Sequence, residues 1–277
     1  MESRDLNACA FDELAGSYDE TFTDTVVGRE LRSLVWSRLE RIFRPQQRIL
    51  ELGCGTGEDA TRLASGGVRV VATDPSARMI EVARRKARRR ACERHIEFHC
   101  LDMEQLGPSL DGETFDGVLS NFGAINCARR LPLLVADIAV RLAPGAPLVW
   151  VVMGRRVPWE WVWFLVHGQW HKAWRRLRRD GVEWRGMRIS YPTPHELTAL
   201  LRPYFAIERV AALGFALPPS YAAKWLEHAP RTMQVLTWFE RLAQRFAPLA
   251  SWSDHYIVEA TRLRPEPGPA GAGIRGE

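Results

Sequence analysis

The sequence lacks a long apolar run and lacks cysteine pairs at metal-binding or disulfide spacing. No apolar stretch reaches about 18 residues, so no membrane-spanning helix is expected. The opening residues, Met1 to Asp5, are polar and do not form the basic and apolar regions of a secretory leader. The five cysteines form no C-x-x-C pair and have no histidine at finger spacing, so neither a metal site nor a disulfide framework is predicted. We therefore expect a reducing, cytoplasmic setting.

Composition excludes several further classes of protein. The 277 residues are 46% hydrophobic and 26% charged, which excludes collagen-like, coiled-coil and wholly disordered chains. Lys and Arg number 38 against 33 Asp and Glu, and the net charge of +5 permits an anionic partner without requiring one. Residues 264–277 are rich in Pro and Gly and predict a disordered tail. What the chain has in excess is tryptophan, with 11 residues.

Short apolar runs alternate with helix-like segments along the chain, a pattern typical of an α/β protein. Seven runs predict strands, at residues 49–52, 68–72, 95–100, 115–120, 147–153, 205–210 and 255–261. The alternation favours a mostly parallel sheet with helices on both faces. In such a sheet, ligands bind at the carboxyl ends of the strands, so site residues should directly follow the strands.

The length of 277 residues allows one large domain or two small ones. Because the strand pattern resumes after two aromatic-rich segments, we predict a single domain over residues 1–263. Its core comprises residues 40–153, 193–210 and 255–262. Two helical and aromatic insertions, residues 155–190 and 214–252, are predicted to form a lid.

A glycine-rich turn follows the first predicted strand. Gly53-Cys54-Gly55-Thr56-Gly57 precedes a helix, a setting in which glycines let the backbone pass close to a nucleoside ligand. Asp74 closes the next strand, where a carboxylate can accept hydrogen bonds from both ribose hydroxyls. A dinucleotide site favours glycine at the sixth position, which here is Glu58, followed by Asp59. Because these carboxylates repel a diphosphate, a nucleoside cofactor without phosphate suits the turn better.

Several motifs together resemble those of class I S-adenosylmethionine-dependent methyltransferases. They are Glu51-Leu52-Gly53-Cys54-Gly55-Thr56-Gly57, Asp74 at the end of strand two, and Leu101-Asp102-Met103 after strand three. The segment from Phe11 to Asp19 also resembles the helix that closes over the cofactor in this family. The resemblance covers roughly Leu14 to Met153 and the final strand. It implies a Rossmann-like, seven-stranded sheet and S-adenosyl-L-methionine as cofactor.

The resemblance further implies roles for the residues around the first two strands. Gly53, Gly55 and Gly57 would lie beneath the methionine and ribose portions of the cofactor. Glu51 would anchor the turn and the cofactor ammonium group, and Asp74 would bind the ribose. Each role has a structural alternative, because glycines can serve only a tight turn and an aspartate before proline can simply lead into a helix.

Four other residues are placed at the cofactor by the same resemblance. Asp102 would accept a hydrogen bond from the adenine amino group, and Met103 would flank the ring. Asn121 would lie near the methionine end, and Tyr18 would cover the sulfonium side. The alternatives are a turn position for Asp102, a core position for Met103 and packing under a helix for Tyr18.

The residues after strand four limit the class of acceptor. Family members that methylate nucleobase or side-chain amide nitrogens carry an Asn/Asp-Pro-Pro-Tyr/Phe turn there, whereas this chain reads Asn121-Phe122-Gly123-Ala124. The missing prolines leave an oxygen, carbon or amine of a small, hydrophobic molecule as the acceptor. Methyl transfer needs mainly an aligned nucleophile and exclusion of water, so no catalytic residue is assigned. His255, beside Asp254, is the candidate for a general base, with simple opening of the last strand as its alternative.

Tryptophan is concentrated after strand five, where seven of the 11 fall between Trp150 and Trp184. Trp159, Trp163 and Trp170 recur at helical spacing, which predicts one aromatic stripe on a single helix. We interpret this stripe as a lid over a hydrophobic substrate pocket. Two alternatives stay open, namely a structural cap and an interfacial helix that contacts a membrane surface through Trp and Arg.

A basic run from Arg84 to Arg90 raises the question of RNA binding. Its helix lies on the outer face of the predicted sheet and no tryptophan is interleaved with it, so a solvated charged face is favoured. The predicted partner is a small-molecule acceptor rather than nucleic acid, and the predicted function is methyl transfer. RNA methylation, a scaffold that binds the cofactor without activity, and NAD-dependent oxidoreduction are kept as alternatives. The sequence does not determine the oligomeric state or the acceptor.

Overall fold

The computed structural model describes residues 11–107 and 109–264, so Cys9 and the predicted tail beyond residue 264 lie outside the described residues. Strands in this part form one large sheet and one small hairpin. The strands are β1 Arg48–Leu52, β2 Arg69–Asp74, β3 Ile96–Cys100, β4 Gly117–Ser120, β5 Pro147–Met153, β6 Val182–Trp184, β7 Met187–Ile189, β8 Phe205–Leu213 and β9 His255–Arg262. The hairpin consists of β6 and β7, and the other seven strands form the sheet.

The large sheet has the strand order β3-β2-β1-β4-β5-β9-β8. Neighbouring strands from β1 to β5 pair in parallel, whereas β9 pairs antiparallel with both β5 and β8. The predicted seven-stranded, mostly parallel sheet is therefore confirmed. The carboxyl ends of β1 to β4 meet at one edge, where the sequence places its candidate cofactor residues.

Helices cover both faces of this sheet. They are α1 Val26–Ile42, α2 Glu58–Ser65, α3 Ala77–Arg89, α4 Leu131–Arg141, α5 Pro158–Val166, α6 Trp170–Ala173, α7 Pro194–Leu201 and α8 Pro230–Ala243. One core cluster joins the sheet to α1, α2 and α3, with Leu39, Leu63 and Ala83 among its buried members. A second cluster joins the opposite face to α4 and α7 through Ile138 and Leu197. Burial on both faces explains why the central strands read as continuous apolar runs.

The aromatic segment after β5 is not the single helix that the tryptophan spacing predicts. α5 ends at Val166, Gly168 adopts φ +68°, and the short α6 begins only at Trp170. The prediction is wrong here because a glycine in the left-handed region ends a helix readily. Trp159 and Trp163 therefore lie on α5, and Trp170 starts a different element.

The second insertion is fastened to the sheet by a buried carboxylate on α8. Glu240 accepts hydrogen bonds from the backbone N–H groups of Gly214 and Ala216, both at 2.8 Å, and of Leu217 at 3.3 Å. Burial raises the pKa of Glu240, although these N–H groups oppose the rise. The contacts fix the chain as it leaves β8 and enters the insertion.

Candidate active site

The glycine-rich turn between β1 and α2 adopts a backbone that side chains would obstruct. Gly53, Gly55 and Gly57 have φ values of +67°, +53° and +72°. A Cβ atom at Gly53 would lie 2.3 Å from Ala124 Cβ, and one at Gly57 would lie 2.7 Å from Ala83 Cβ. A Cβ at Gly55 would meet no atom within 4 Å. Gly53 and Gly57 therefore allow close packing, whereas Gly55 borders open space.

Asp74 ends β2 and is held beside this turn by two backbone hydrogen bonds. Its Oδ2 accepts from the N–H of Gly55 and its Oδ1 accepts from the N–H of Ser76, each at 2.9 Å. Burial raises the pKa of Asp74 to about 6, although the same N–H groups oppose the rise. A carboxylate offers about four acceptor positions, so about two are left for a diol ligand. The geometry suits a ribose.

Glu51 lies in β1 and carries a buried oxygen without a partner. The residue is 1% exposed, and its Oε2 makes no hydrogen bond within the described part of the chain. Burial, reinforced by the charge of Asp59, raises the pKa of Glu51 well above its ordinary value, and Arg32 opposes the rise. Because buried acceptors are normally satisfied, this oxygen fits a donor such as the ammonium group of the cofactor.

Asn121 follows β4 and is fixed by a carboxylate from α2. Its Nδ2 donates to Asp59 Oδ2 at 2.9 Å, and its Oδ1 accepts from the N–H of Phe122 at 2.9 Å. Asp59 also accepts from Arg32 and Trp36, both at 2.6 Å. Phe122 has a φ of +45°, a strained value for a bulky residue, and the Arg32 guanidinium lies 4.7 Å from its ring centroid. The network holds Phe122 in place at the end of β4.

Asp102 and Met103 follow β3 and reach the same edge of the sheet. Asp102 Oδ1 accepts from the N–H of Glu104 at 2.9 Å, and its Oδ2 lies 3.8 Å from an Arg129 nitrogen. Met103 is buried, and its Cε would lie 3.6 Å from a Cβ at Gly53. The two side chains therefore adjoin the glycine-rich turn, with Asp102 supplying acceptor atoms and Met103 an apolar surface.

The segment that precedes α1 is tied across this edge by polar contacts. Asp19 accepts from the Thr56 hydroxyl at 2.7 Å and pairs with Lys86 of α3 at 2.8 Å. Asp12 accepts from the N–H of Arg78 at 3.1 Å. Burial raises the pKa of Tyr18, which lies in this segment. The contacts hold Tyr18 over the carboxyl ends of the strands.

These elements enclose a cavity of about 330 Å³. Seven of the predicted cofactor residues line it, namely Tyr18, Gly53, Gly55, Asp74, Asp102, Met103 and Asn121. Six other described residues predicted for the site do not line the cavity. They are the cofactor residues Glu51 and Gly57, the candidate base His255, and the lid tryptophans Trp159, Trp163 and Trp170. The structure thus brings most of the cofactor set together and leaves the acceptor side to other residues.

The β6-β7 hairpin forms one wall of the cavity. Val182, Trp184, Met187 and Ile189 all line it, because alternate residues of paired strands share one face. The Trp184 ring lies 5.8 Å from the ring of Phe11. Sequence reasoning missed this hairpin, although the alternation of apolar and polar residues on both sides of a glycine could have revealed it.

Polar contacts hold the hairpin at both ends. At its tip, Arg185 pairs with Glu13 at 2.6 Å, and both Arg185 and Gly186 have positive φ, as a tight turn requires. At its base, the Asn126 Nδ2 donates to the Ser190 carbonyl at 2.7 Å. The hairpin therefore spans from the end of β4 to the N-terminal segment.

The three tryptophans predicted as a lid make contacts elsewhere. Trp159 donates through Nε1 to the Phe215 carbonyl at 3.1 Å, which joins the two insertions. The Trp163 ring lies 4.1 Å from the ring of His167, and Trp170 is 64% exposed. A tryptophan does face the cavity, but it is Trp184, which the predicted stripe did not include.

A buried ionic cluster connects α5 to the segment after α6. Glu160 is 1% exposed and pairs with both Arg175 and Arg176, with Arg176 Nε at 2.8 Å from its Oε2. The Tyr221 hydroxyl, from the second insertion, donates to Glu160 at 3.1 Å. Arg176 also pairs with Asp254 at 2.9 Å. The cluster therefore places two guanidinium groups on an otherwise apolar side of the cavity, and the carboxylates of Glu160 and Asp254 balance their charge.

His255 opens β9 and reaches the cavity only through a neighbour. Its Nδ1 lies 3.1 Å from Asp254 Oδ2, and its ring meets the Phe122 ring edge-on at 5.6 Å. Burial would raise the pKa of Asp254, but the charges of His255 and Arg176 hold it well below its ordinary value. Because His255 does not line the cavity, the geometry favours a structural contact with Asp254 over a base that touches the acceptor.

Glu58, at the start of α2, pairs with two residues of the basic run from Arg84 to Arg90. Glu58 pairs with Lys86 at 2.9 Å and with Arg90 at 2.8 Å. Arg84 donates to the Phe98 carbonyl at 2.7 Å, and Arg85 pairs with Glu81. Much of the run therefore has partners within the fold, which supports the solvated-face interpretation over RNA binding.

Comparison with known proteins places this site in a class. Residues 49–145 match the family model described as a methyltransferase domain. Together with the fold and the lined cavity, the match shows that the chain contains a methyltransferase domain of the class I, S-adenosylmethionine-dependent type. The resemblance inferred from the glycine-rich turn, Asp74 and Asp102 is confirmed, and S-adenosyl-L-methionine is the cofactor of this class.

Two relatives match longer stretches of the chain than the family model does. The chain is 36% identical over 140 residues to a demethylmenaquinone methyltransferase of Clavibacter sepedonicus, covering 50% of this chain and 54% of the relative. It is 28% identical over 222 residues to a demethylmenaquinone methyltransferase of Symbiobacterium thermophilum, covering 69% and 81% respectively. The chain thus spans about half the length of the first relative and most of the second.

Solved structures share the fold at low identity. The [4+2]-cyclase SpnF has a TM-score of 0.62 at 18% identity, over 93% of this chain and 95% of that one. The N-methyltransferase NodS of Bradyrhizobium japonicum, in complex with S-adenosyl-L-homocysteine, has a TM-score of 0.58 at 14% identity, over 94% and 100%. These structural similarities establish the fold. They do not identify the methyl acceptor.

Proposed function

We propose that this chain transfers a methyl group from S-adenosylmethionine to a carbon or oxygen of a small hydroxylated aromatic ring of the quinol type. The observation that carries the proposal is the composition of this cavity, in which cofactor-type residues face an apolar wall that bears two arginines. The names of both relatives refer to methylation of demethylmenaquinone, which supports a quinone-related ring as acceptor.

Several residues at one end of the cavity, together with the nearby buried Glu51, support S-adenosylmethionine as the ligand. Asp74 would accept from the ribose hydroxyls, and Glu51 would receive the ammonium group on its unpartnered oxygen. Asp102 and Met103 would hold the adenine, and Gly55 leaves the room that a side chain would fill. The cofactor contributes an electrophilic methyl group on a sulfonium. What the protein contributes is alignment and exclusion of water.

The acceptor end fits a flat, apolar ring with an acidic hydroxyl. Trp184 and Met187 offer an aromatic face and a polarizable side chain, and Phe122 stands at the end of β4. Arg175 has an Nε without a hydrogen-bond partner among the described residues, and its side chain is partly exposed. A guanidinium at this position stabilises the anionic form of a ring hydroxyl and so strengthens the nucleophile. The acceptor would lose its hydroxyl or ring proton to solvent as the methyl group leaves the sulfonium sulfur.

Transfer of a radiolabelled methyl group tests the proposal. The protein is incubated with S-adenosylmethionine labelled on the methyl and a water-soluble naphthoquinol, with the corresponding dimethoxy compound as the matched acceptor. We expect label in the extracted naphthoquinol and none in the dimethoxy compound, which lacks an ionisable hydroxyl. Arg175→Ala should raise KM for the quinol about tenfold or more, because a hydrogen bond to a charged group contributes about 1.5–3 kcal/mol. Arg202→Ala, at an exposed arginine directly after α7, is the control.

Analysis of the labelled products, together with measurements of ligand binding and stability, separates the alternative functions. Label that appears in a tRNA fraction and not in the quinol would make the chain an RNA methyltransferase. Binding of S-adenosylhomocysteine with no labelled product in any extract would support a scaffold. Stabilisation by NADH in place of S-adenosylhomocysteine would support an oxidoreductase. The cytoplasmic location expected from cysteine usage stays a prediction.

A further inference from the structure

The two insertions expose an unusual amount of aromatic surface. Twelve of the fifteen exposed large hydrophobic side chains in the described part of the chain lie in residues 155–190 and 214–252. The exposed tryptophan and phenylalanine side chains among them are Trp170, Trp174, Trp225, Trp238, Phe239, Phe246 and Trp252. Nine of the 11 tryptophans fall in these two segments. Exposed apolar side chains in this number indicate a surface that contacts another protein or a membrane.

Aromatic contacts make this surface continuous across the two insertions. The Trp161 ring lies 5.3 Å from that of Trp174 in the first insertion and 6.1 Å from that of Trp252 in the second. Arg156 lies over the Trp252 ring, 5.3 Å from its centroid. A neighbouring apolar groove of about 440 Å³ lies between Trp159 and α8. We call these two insertions, with their exposed rings and groove, the aromatic face.

The charge of the aromatic face differs in sign from that of the rest of the chain. The two insertions contain thirteen Lys and Arg against five Asp and Glu, a net charge of +8. Because the whole chain carries +5, the remainder carries −3. Two of the five acids, Glu160 and Glu240, are buried, so the exposed charge is more positive still. The charge of the aromatic face is therefore complementary to that of an anionic surface.

The aromatic face also adjoins the cavity. Arg175 lines both the cavity and a surface cleft formed with Trp170, Trp174 and Arg178. Exposed tryptophans beside arginines are the combination that settles at the boundary between lipid headgroups and acyl chains. Within the described residues, no helix is both long enough and apolar enough to cross a bilayer, so contact would be made from one side.

We propose that the aromatic face docks on the surface of an anionic lipid bilayer, with the tryptophan rings at the headgroup boundary and the arginines on lipid phosphates. Docking would bring the cavity mouth to the phase in which an apolar acceptor dissolves. The proposal does not depend on the proposed methyl transfer, since it rests on exposed rings and charge alone.

Co-sedimentation with vesicles tests this docking. We expect the full chain to sediment with phosphatidylcholine vesicles that contain phosphatidylglycerol, and far less with phosphatidylcholine alone. Raising the salt from about 0.1 M to about 1 M shortens the Debye length from about 10 Å to about 3 Å and should release the protein. Brominated lipids should quench tryptophan fluorescence, because nine tryptophans lie in these insertions.

Matched charge reversals locate the contact. Arg178→Glu with Arg179→Glu reverses two adjacent exposed arginines on the aromatic face, and Arg88→Glu with Arg89→Glu does the same on α3. The first pair should weaken vesicle binding at least tenfold, since each cation near an anionic surface contributes roughly fivefold. The second pair should change it by less than twofold. An equal loss in both pairs would assign binding to general charge and overturn the proposal.

A second pair of variants tests the rings. Trp170→Ala with Trp238→Ala should weaken vesicle binding several-fold, whereas Leu133→Ala with Val140→Ala, exposed on α4, should not. Calorimetric affinity for S-adenosylhomocysteine should be unchanged in all four variants, which shows that they fold. Absence of sedimentation with anionic vesicles would refute docking. So would a concentration-dependent dimer that Trp170→Ala with Trp238→Ala abolishes, because the aromatic face would then bind a second copy.

Discussion

The two ends of the cavity are built in different ways. The cofactor end consists of short segments that directly follow β1, β2, β3 and β4, and its key carboxylate is held by backbone N–H groups. The acceptor end consists of a hairpin and two arginines from an insertion, held by an ion cluster around Glu160. Backbone hydrogen bonds tie the first end to the sheet itself. The second end depends on side chains that meet only after the insertions have packed.

The largest expected effect tests the cofactor end. Asp74→Ala removes the acceptor that we assign to the ribose, and loss of two hydrogen bonds to a charged group corresponds to about 3–6 kcal/mol. Calorimetry should therefore show a loss of S-adenosylhomocysteine affinity of more than a hundredfold. Asp111→Asn, an exposed aspartate on a loop, is the matched control. Retained affinity in Asp74→Ala would remove the ribose role.

The next effect tests the cluster that supports the acceptor end. Glu160→Ala leaves Arg176 buried beside Asp254 with one partner fewer, and breaking a buried pair costs about 3–5 kcal/mol. Urea unfolding should show a decrease of this size in the free energy of unfolding. Glu183→Ala, an exposed glutamate on the far face of the hairpin, should change it by less than about 0.5 kcal/mol. Similar losses in both variants would contradict the special role of Glu160.

Changing the pH tests the cofactor end of the cavity without a substitution at the acceptor end. Because burial raises the pKa of Asp74 to about 6 from 3.8, the folded protein holds this proton more tightly than the unfolded chain. Its contribution to stability is complete below pH about 4 and is lost as the pH rises through about 6, a change of about 3 kcal/mol. Urea unfolding from pH 4 to 8 should show this loss in the parent protein relative to Asp74→Asn.

Cofactor affinity should change in the opposite direction over the same range. Ribose binding needs the ionised carboxylate, so affinity for S-adenosylhomocysteine should fall as the pH drops below about 6. Parallel pH curves for the parent and Asp74→Asn, in stability or in affinity, would remove Asp74 as the titrating group.

The smallest effect compares two tryptophans. Trp184→Ala opens the cavity wall and should raise KM for the acceptor about tenfold, consistent with loss of about 1.4 kcal/mol of binding. Trp170→Ala should leave KM for a water-soluble acceptor within about twofold of the parent, because Trp170 is exposed and lies off the cavity. A larger effect for Trp170 than for Trp184 would restore the lid that the sequence predicts.

Sequence reasoning succeeded where chemistry follows a strand directly. The positions of Asp74 and Asp102 could be predicted because parallel strands end at one edge, and the glycine-rich turn has a backbone that few other residues adopt. From the sequence, Glu58 and Asp59 are interpreted only as negative charges that repel a diphosphate. In the structure Glu58 pairs with Lys86 and Arg90, and Asp59 accepts from Arg32, so both carboxylates serve the fold.

The insertions could not be predicted as well, because their contacts join residues far apart in the chain. Helical spacing placed Trp159, Trp163 and Trp170 on one helix, but Gly168 ends that helix. The hairpin carrying Trp184 has strands of three residues, too short for periodicity to stand out. Its contacts are with residues distant in the chain, namely Asn126 after β4 and Glu13 in the N-terminal segment.

By itself the sequence determined the class of the protein and most of the residues that we assign to its cofactor, because glycine conformations, capping residues and strand ends are local properties. Only the tertiary structure decided the acceptor side. It brought Arg175 and Arg176 to Glu160, turned Trp184 inward and left the other insertion tryptophans in contacts away from the cavity or exposed. The physical reason is that burial and ion pairing between distant segments are settled by packing, which no single stretch of sequence encodes.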